Sequence, residues 1–386
     1  MQKAIVIPVY LRMERPEELP NLEDLHLARR AIKSINLLED QDFTLILPVC
    51  FDLPNSEGST LFHLENIVRD EVKGSRSTQT LIFSSFRLQR LREYLAQKNF
   101  RNFSSLIDLK GFSKIRNTGL ILAQALSMDV VVFIDYDEII EDRDFLEIAC
   151  EYLNQKWNGR LVSGKGGFYI NPDGSILIPN KNLWWRFFWN KTKWMNKVWK
   201  KILNSEDRIV PTPMLLGGNL VLSNNLFRHV PFDPYIPRGE DTDYLINANS
   251  LGFSLFFDKK LRIKHLHPER TSSYYHEELR GDIGRFLYER EKIKGGLTIN
   301  LDPYPGYFLK WTLYPKVILT SLFLCLDYMV RRDMKRAKES MANIGLLFRK
   351  REEVWMNYLR FARDWEVVME KIHKEGMDGL LENCWI

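Results

Sequence analysis

The chain has 386 residues, room for roughly two to three domains of about 150 residues each, and its 45% hydrophobic content is that of a globular protein. Lys plus Arg number 55 against 50 Asp plus Glu, a net charge of +5, which is too small for a nucleic-acid-coating protein. The basic excess is local: residues 181–201, KNLWWRFFWNKTKWMNKVWKK, carry seven basic residues and no acidic one.

Cys50, Cys150, Cys325 and Cys384 lie far apart with no C-x-x-C spacing, which argues against a zinc site or a disulfide framework and fits a reducing cytoplasm. The opening run AIVIPVYL is broken by Pro8 and ended by Arg12 without a basic leader or small-residue cleavage site, so it reads as a strand and not a signal peptide. The apolar run Val317 to Leu326, VILTSLFLCL, falls short of the ~20 residues that span a bilayer, although contact with a membrane surface stays open.

Taken in order, the first half alternates β-branched runs with helical periodicity, the pattern of a sheet flanked by helices. Residues 4–10 read as a buried strand, 25–38 as a helix and 43–49 as a second strand. Helices are expected near 60–70 and 86–97, and a short strand, SSLIDL, at 104–109. A loop over 111–116, a helix over 117–126 and a strand over 130–134 then lead into the acidic sequence DYDE. In open α/β sheets ligands bind outside the carboxyl ends of strands, which is where this acidic loop falls. A helix over 144–155, a strand over 161–170 and an NPDGS turn precede the Trp-rich segment. Beyond it come a strand over 215–222, a helix over 241–250 and the strands SLFF and LRIKHL. From about residue 274 onward only helical periodicity is visible, and it forms a helical appendix.

Asp135 and Asp137 are two apart, so on an extended backbone both carboxylates face one way. At about 5 Å they repel by about 3 kcal/mol at an effective dielectric of about 20, and a divalent cation such as Mg²⁺ or Mn²⁺ removes that penalty. A solvated acidic turn would carry the same letters. A second acidic cluster, Glu240, Asp241 and Asp243, follows Gly239 where a loop enters a helix. Such carboxylates either cap the helix or hold a general base at its positive end. His265 and His267 lie on one side of an extended segment and are candidates to complete a metal shell, or are structural. Lys114, Arg116 and Asn117 sit at a loop-to-helix start, suited to phosphate or to solvent.

The order of first strand, basic RN before a helix, apolar strand ending in DYD, glycine pair, GED entering a helix, then histidine resembles the GT-A fold of nucleotide-sugar glycosyltransferases. It is most similar to the family 2-like group, with GG…FDPYIPRGEDTDY resembling the carboxyl-terminal motif of galactosyltransferase-like members. The resemblance covers residues 1–272, with a nucleotide-binding half to about 140 and an acceptor half beyond it, and leaves 273–386 as a helical region. It implies an α/β, Rossmann-like mixed sheet flanked by helices and a metal-dependent transfer of a hexose from a UDP- or GDP-linked sugar to a hydroxyl acceptor. Inversion is favoured over a retaining synthase or a non-catalytic carbohydrate- or membrane-binding protein, and cell-envelope polysaccharide synthesis is the implied setting.

Residue by residue, the resemblance implies Asp135 and Asp137 as the metal and diphosphate motif, with Asp137 the direct ligand and His267 or His265 the third ligand. Pro8 and Tyr10 would border the nucleoside, and Lys114, Arg116 and Asn117 would hold the nucleotide. Gly218 would let backbone approach sugar or acceptor, Asp241 would be the base, and Glu240 would bind hydroxyls. The aromatics of 181–201 would pack as a lid, stack on a sugar acceptor, or lie at the inner face of the membrane with the basic residues on anionic lipid. Nucleic acid is not an expected partner.

Overall fold

The computed structural model describes residues 1–12, 22–53, 58–73, 79–180, 183–266, 274–295 and 299–386. Among them are the strands β1 (Lys3–Val6), β2 (Val9–Arg12), β3 (Thr44–Asp52), β4 (Gln79–Ser84), β5 (Val130–Phe133), β6 (Glu138–Ile139), β7 (Lys156–Trp157), β8 (Arg160–Ile170), β9 (Ile209–Pro211), β10 (Leu220–Ser223) and β11 (Ser254–His265). β1 lies between β3 and β5, parallel to both, and β4 extends the parallel part beyond β3. β10 then runs antiparallel between β5 and β8, and β11 follows parallel to β8. The result is one mixed sheet with helices on its faces, the α/β class expected from the GT-A resemblance.

The chain leaves β1 toward β3 and β4 and returns on the other side of β1 as β5. That reversal opens a crevice beyond the carboxyl ends of β1 and β5, where Pro8 and Asp135 begin the loops. The strands are buried on both sides, which is why VVVF and LILPV read as continuous apolar runs without alternation.

Several elements differ from the sequence expectation. The first run is two strands, since Pro8 has no N–H to give a ladder, although Ile7 still donates to the Ile46 carbonyl at 3.0 Å. SSLIDL forms no strand: the Ile107 carbonyl accepts from Arg92 Nε at 3.0 Å, and Asp108 Oδ1 takes the Leu109 and Lys110 amides. Ile107 and Leu109 are buried all the same, so their alternation reports burial and not pairing. The β4 strand was not anticipated. The helix expected over 117–126 is Phe112–Ala125, which moves Lys114 and Arg116 from a loop onto a helix. SLFF and LRIKHL are one strand with a register shift between Phe257 and Arg262.

The carboxyl-terminal helices are not an appendix. Helix Val354–Glu375 packs on helix Phe112–Ala125, with Trp365 fully buried and its indole N–H donating to the Phe227 carbonyl at 2.9 Å. Truncating such a side chain to alanine typically costs about 3–5 kcal/mol. Tyr358 donates to the Pro231 carbonyl at 3.2 Å, and at the chain's end Ile386 N–H donates to the Thr80 carbonyl of β4 at 3.0 Å. One apolar core therefore runs from the sheet into these helices. The boundary read at 272/273 lies outside the described residues.

Candidate active site

Four segments meet beyond the crevice: the end of β5, the start of helix Phe112–Ala125, the turn Gly217–Asn219 and the start of helix Glu240–Ser250. Arg116 joins them. Its Nη2 donates to Asp135 Oδ1 at 2.6 Å and its Nη1 to the Gly217 carbonyl at 2.9 Å, while its Nε lies 3.5 Å from Glu240 Oε1. The guanidinium sits 5.2 Å from the Phe133 ring centroid and is only 2% exposed. Burial alone would favour loss of its proton, but Asp135 and Glu240 outweigh that and hold it charged. A Cβ on Gly217 would stand 2.6 Å from Arg116 Nη2, so glycine leaves room for this close packing.

The next residues form a compact ligand group. Asp137, Glu138 and His265 each offer one atom within 4.8 Å of the others. β6 pairs with the end of β11 so that Glu138 stands opposite His265, and His265 Nε2 is 3.4 Å from Asp137 Oδ2. The His265 ring stacks on Tyr169, centroids 5.3 Å apart, which fixes its plane. Glu138 is fully buried beside the Tyr169 phenol: one oxygen accepts the Asp135 amide at 3.0 Å, and Oε1 has no hydrogen-bond partner among the described residues. Burial, with Asp135 and Asp137 alongside, pushes its carboxyl well above the usual range. An orphaned buried carboxylate oxygen among two carboxylates and an imidazole fits a divalent cation, and Mn²⁺ accepts this mixed oxygen and nitrogen set.

This grouping is not the one read in the sequence. Asp137 and His265 come together, while Asp135 is not among the residues that meet within 4.8 Å and its Oδ1 pairs with Arg116. Glu138 takes that place; the D-x-D spacing directed attention to alternate residues, whereas the short β6 pairing turns Glu138 toward His265. His267 lies outside the described residues. At Gly218 a Cβ would stand 2.2 Å from a Glu138 carboxylate oxygen.

Beside this group lies a cavity of about 560 Å³ with walls from Pro8, Tyr10, Phe112 and Ile115 and a polar end at Arg116, Asp135, Asp137 and His265. Pro8 and Tyr10, expected beside a nucleoside, border this cavity. Tyr10 donates its phenol to Asp52, and Asp52 also accepts from Lys110 Nζ at 2.6 Å. Those two partners hold the Asp52 carboxyl below its ordinary range. Lys110, not Lys114, is the lysine on the cavity wall; sequence reading passed over it because it precedes Gly111 and the helix. Asn117 is fully buried and exchanges both side-chain hydrogen bonds, at 2.8 Å each, with the Phe232 backbone. It anchors the loop that leads to Glu240 and does not face the cavity.

Gly239 adopts φ 75° ahead of helix Glu240–Ser250, and a Cβ there would meet the Arg285 guanidinium at 2.2 Å. Arg285, from helix Tyr275–Lys294, pairs with Glu289 at 2.7 Å and places positive charge under Asp241. Glu240 is 8% exposed, and burial followed by Asp241 pushes its carboxyl up to about 7. Asp241 is less buried and accepts the Thr242 amide at 2.6 Å. Asp243, the third carboxylate of the cluster, faces inward: Lys292 Nζ bonds it at 2.7 Å and also reaches Asp233 at 2.5 Å. Helix Tyr275–Lys294 therefore clamps the GED segment at two points, neither of which the sequence disclosed.

Within 181–201, Trp185, Trp189 and Trp199 are buried, against Tyr275, Phe286 with Phe308, and Phe168 with Phe257 respectively. Trp194 stacks on Tyr307 at 3.8 Å. Most of the segment's rings thus pack on the body of the protein, while Trp184 and Phe187 stay exposed.

No family model matches the chain, and no curated protein matches it. Among solved structures, mannosyltransferase PcManGT from Pyrobaculum calidifontis, in complex with GDP-Man and Mn²⁺, is similar at 12% identity over 97% of this chain and 87% of that one, with a TM-score of 0.49. GalNAc-T7 with UDP, GalNAc and Mn²⁺ is similar at 12% identity over 80% and 53% of the two chains, with a TM-score of 0.41. S. aureus TarS 1-349 in complex with UDP is similar at 11% identity over 97% and 92%, with a TM-score of 0.39. These likenesses are distant, and the chemistry assigned below rests on the side chains.

Proposed function

We propose that the chain is a divalent-cation-dependent glycosyltransferase that moves a hexose from a UDP or GDP sugar to a hydroxyl acceptor with inversion. The observation that carries this reading is the Arg116 bridge, which holds the carboxylate-rich end of β5 and the GED helix start around one crevice. Donor and acceptor chemistry need those two parts together.

The apolar walls at Pro8, Tyr10, Phe112 and Ile115 suit a nucleobase and ribose, with the diphosphate toward the polar end. Asp137, Glu138 and His265 would hold Mn²⁺ or Mg²⁺, which supplies charge neutralisation for a departing nucleoside diphosphate. Arg116 adds a fixed positive charge in a buried setting, where such preorganised charges act most strongly. Asp241 takes the acceptor hydroxyl's proton as its oxygen bonds the anomeric carbon and the bond from that carbon to the diphosphate oxygen breaks. Glu240 positions hydroxyls beside it. Four free cysteines suit a cytoplasmic setting.

Asp241→Asn tests the assignment. Transfer is expected to fall by about 10²- to 10⁴-fold with donor binding kept, read as sugar transfer to an acceptor panel and donor affinity by calorimetry. Unchanged turnover would remove Asp241 as the base.

A further inference from the structure

Helix Leu313–Val330 buries Lys316 and Asp327, its only charged residues, and turns aliphatic side chains outward. Ile318, Leu322, Leu326, Met329 and Val330 are 37%, 37%, 50%, 46% and 84% exposed. They form an uncharged face about 18 Å long at 1.5 Å per residue. Trp184 extends it: its indole N–H donates to Asp327 at 2.8 Å and its ring packs on Phe323, with Phe188 and the 78% exposed Phe187 beside it. This continuous surface joins two segments distant in sequence. Soluble monomers rarely leave such a stretch open without a use for it.

The flanks identify the occupant. Lys310 and the 74% exposed Trp311 precede the helix, while Arg331, Arg332 and Lys335 follow it, all exposed. Lys310 pairs with Asp302 and Arg331 with Asp327, so Arg332 and Lys335 carry the local positive charge, and a second copy of this uncharged face would bring them no carboxylate. An anionic lipid surface complements both features, with the aliphatic face among acyl chains and the basic ends on headgroups. Near the end of this helix, the inward-facing Tyr328 and the following Arg331, with Arg186, Lys191, Arg238 and Arg336, line a cavity of about 750 Å³. The cations there outnumber the two lining carboxylates, Glu278 and Asp282.

We infer that this face, built by helix Leu313–Val330 with Trp184 and Phe187, docks the protein on an anionic lipid bilayer with the helix lying in the interface. The membrane contact thus centres on a helix outside 181–201, and that segment contributes its two exposed rings. The inference does not depend on the catalytic reading, and its test uses no donor.

The full-length chain is floated with vesicles of phosphatidylcholine alone or with 30% phosphatidylglycerol. Co-flotation with the anionic vesicles, weakened by salt, is expected for the wild type. Leu326→Glu/Val330→Glu, both at exposed positions, is expected to weaken it by about tenfold or more, and Arg332→Gln/Lys335→Gln should remove most of the preference for anionic lipid. Circular dichroism establishes that each variant is folded, and Phe187→Ser is a second probe of the same face should the double glutamate variant not fold. Absence of wild-type co-flotation, or flotation unchanged in the folded variants, overturns the proposal. So does a lipid-free dimer that the same substitutions dissociate, which would assign the face to a second copy.

Discussion

Replacing Gly218 with alanine isolates the coupling between the turn at 217–219 and the candidate metal group. The added Cβ would lie 2.2 and 2.4 Å from the two Glu138 carboxylate oxygens and 2.5 Å from the carbon between them. Ordinary contact needs about 3.5 Å, so the carboxylate must retreat by more than about 1 Å. Glu138 is fully buried and one of its oxygens holds the Asp135 amide, so retreat strains the loop that carries Asp135 and Asp137. Overpacking of this kind costs about 1–3 kcal/mol of stability, and disturbance around metal ligands typically costs about 10- to 100-fold in affinity. The assay is Mn²⁺ titration by calorimetry in the presence of UDP, with thermal unfolding measured alongside. Gly345→Ala, whose Cβ would meet nothing within 4 Å, serves as the control. A Gly218→Ala protein that is folded and binds Mn²⁺ within twofold of wild type would refute the reasoning.

Two further perturbations test the clamp beneath the GED segment. Lys292→Met leaves Asp233 and Asp243 buried without their cation and is expected to cost about 3–5 kcal/mol in urea unfolding; a loss under 1 kcal/mol would contradict a paired, ionised network. Burial pushes the Glu289 carboxyl up to about 7 despite Arg285, above the 4.5 of a free glutamate. The native state therefore holds this proton more tightly than the unfolded chain, and the associated stability is present below pH 4.5 and lost as pH rises through about 7. That difference amounts to roughly 3 kcal/mol at about 1.4 kcal/mol per pH unit. Denaturation of wild type and Glu289→Gln between pH 4.5 and 8.5 should show the wild type losing ground to the variant across that window, and a pH-independent difference would contradict it.

The sheet was legible where burial on both faces leaves a β-branched run: VVVF ends as a strand at the residue before Ile134, and the acidic loop starts beyond it. GED entering a helix was legible from glycine and first-turn carboxylates. The failures share a physical cause. Ile107 and Leu109 alternate because both are buried, and a side-chain bond from Arg92 substitutes for a partner strand. Glu138 was not picked out beside the D-x-D pair because its inward turn depends on β6 meeting β11, more than a hundred residues away. Asn117 read as ligand-facing because an amide at a helix start suits phosphate equally well, and only the fold reveals that the Phe232 backbone engages both ends of it. Arg116 does line the cavity, but its ties to Asp135, Gly217 and Glu240 were not legible in the sequence. Lys292 and Arg285 lie on a helical face whose polar residues resemble a solvated stripe until the GED segment is packed against it.

The most direct test of the central claim is calorimetric donor binding to the wild-type chain, with UDP and GDP sugars each titrated in Mn²⁺, in Mg²⁺ and in chelator, and repeated on Asp137→Ala. The account predicts that one nucleotide sugar binds in the presence of cation, loses most of its affinity in chelator, and binds Asp137→Ala with no cation dependence. Binding by none of them to a folded sample, or binding indifferent to cation and to Asp137, would contradict it.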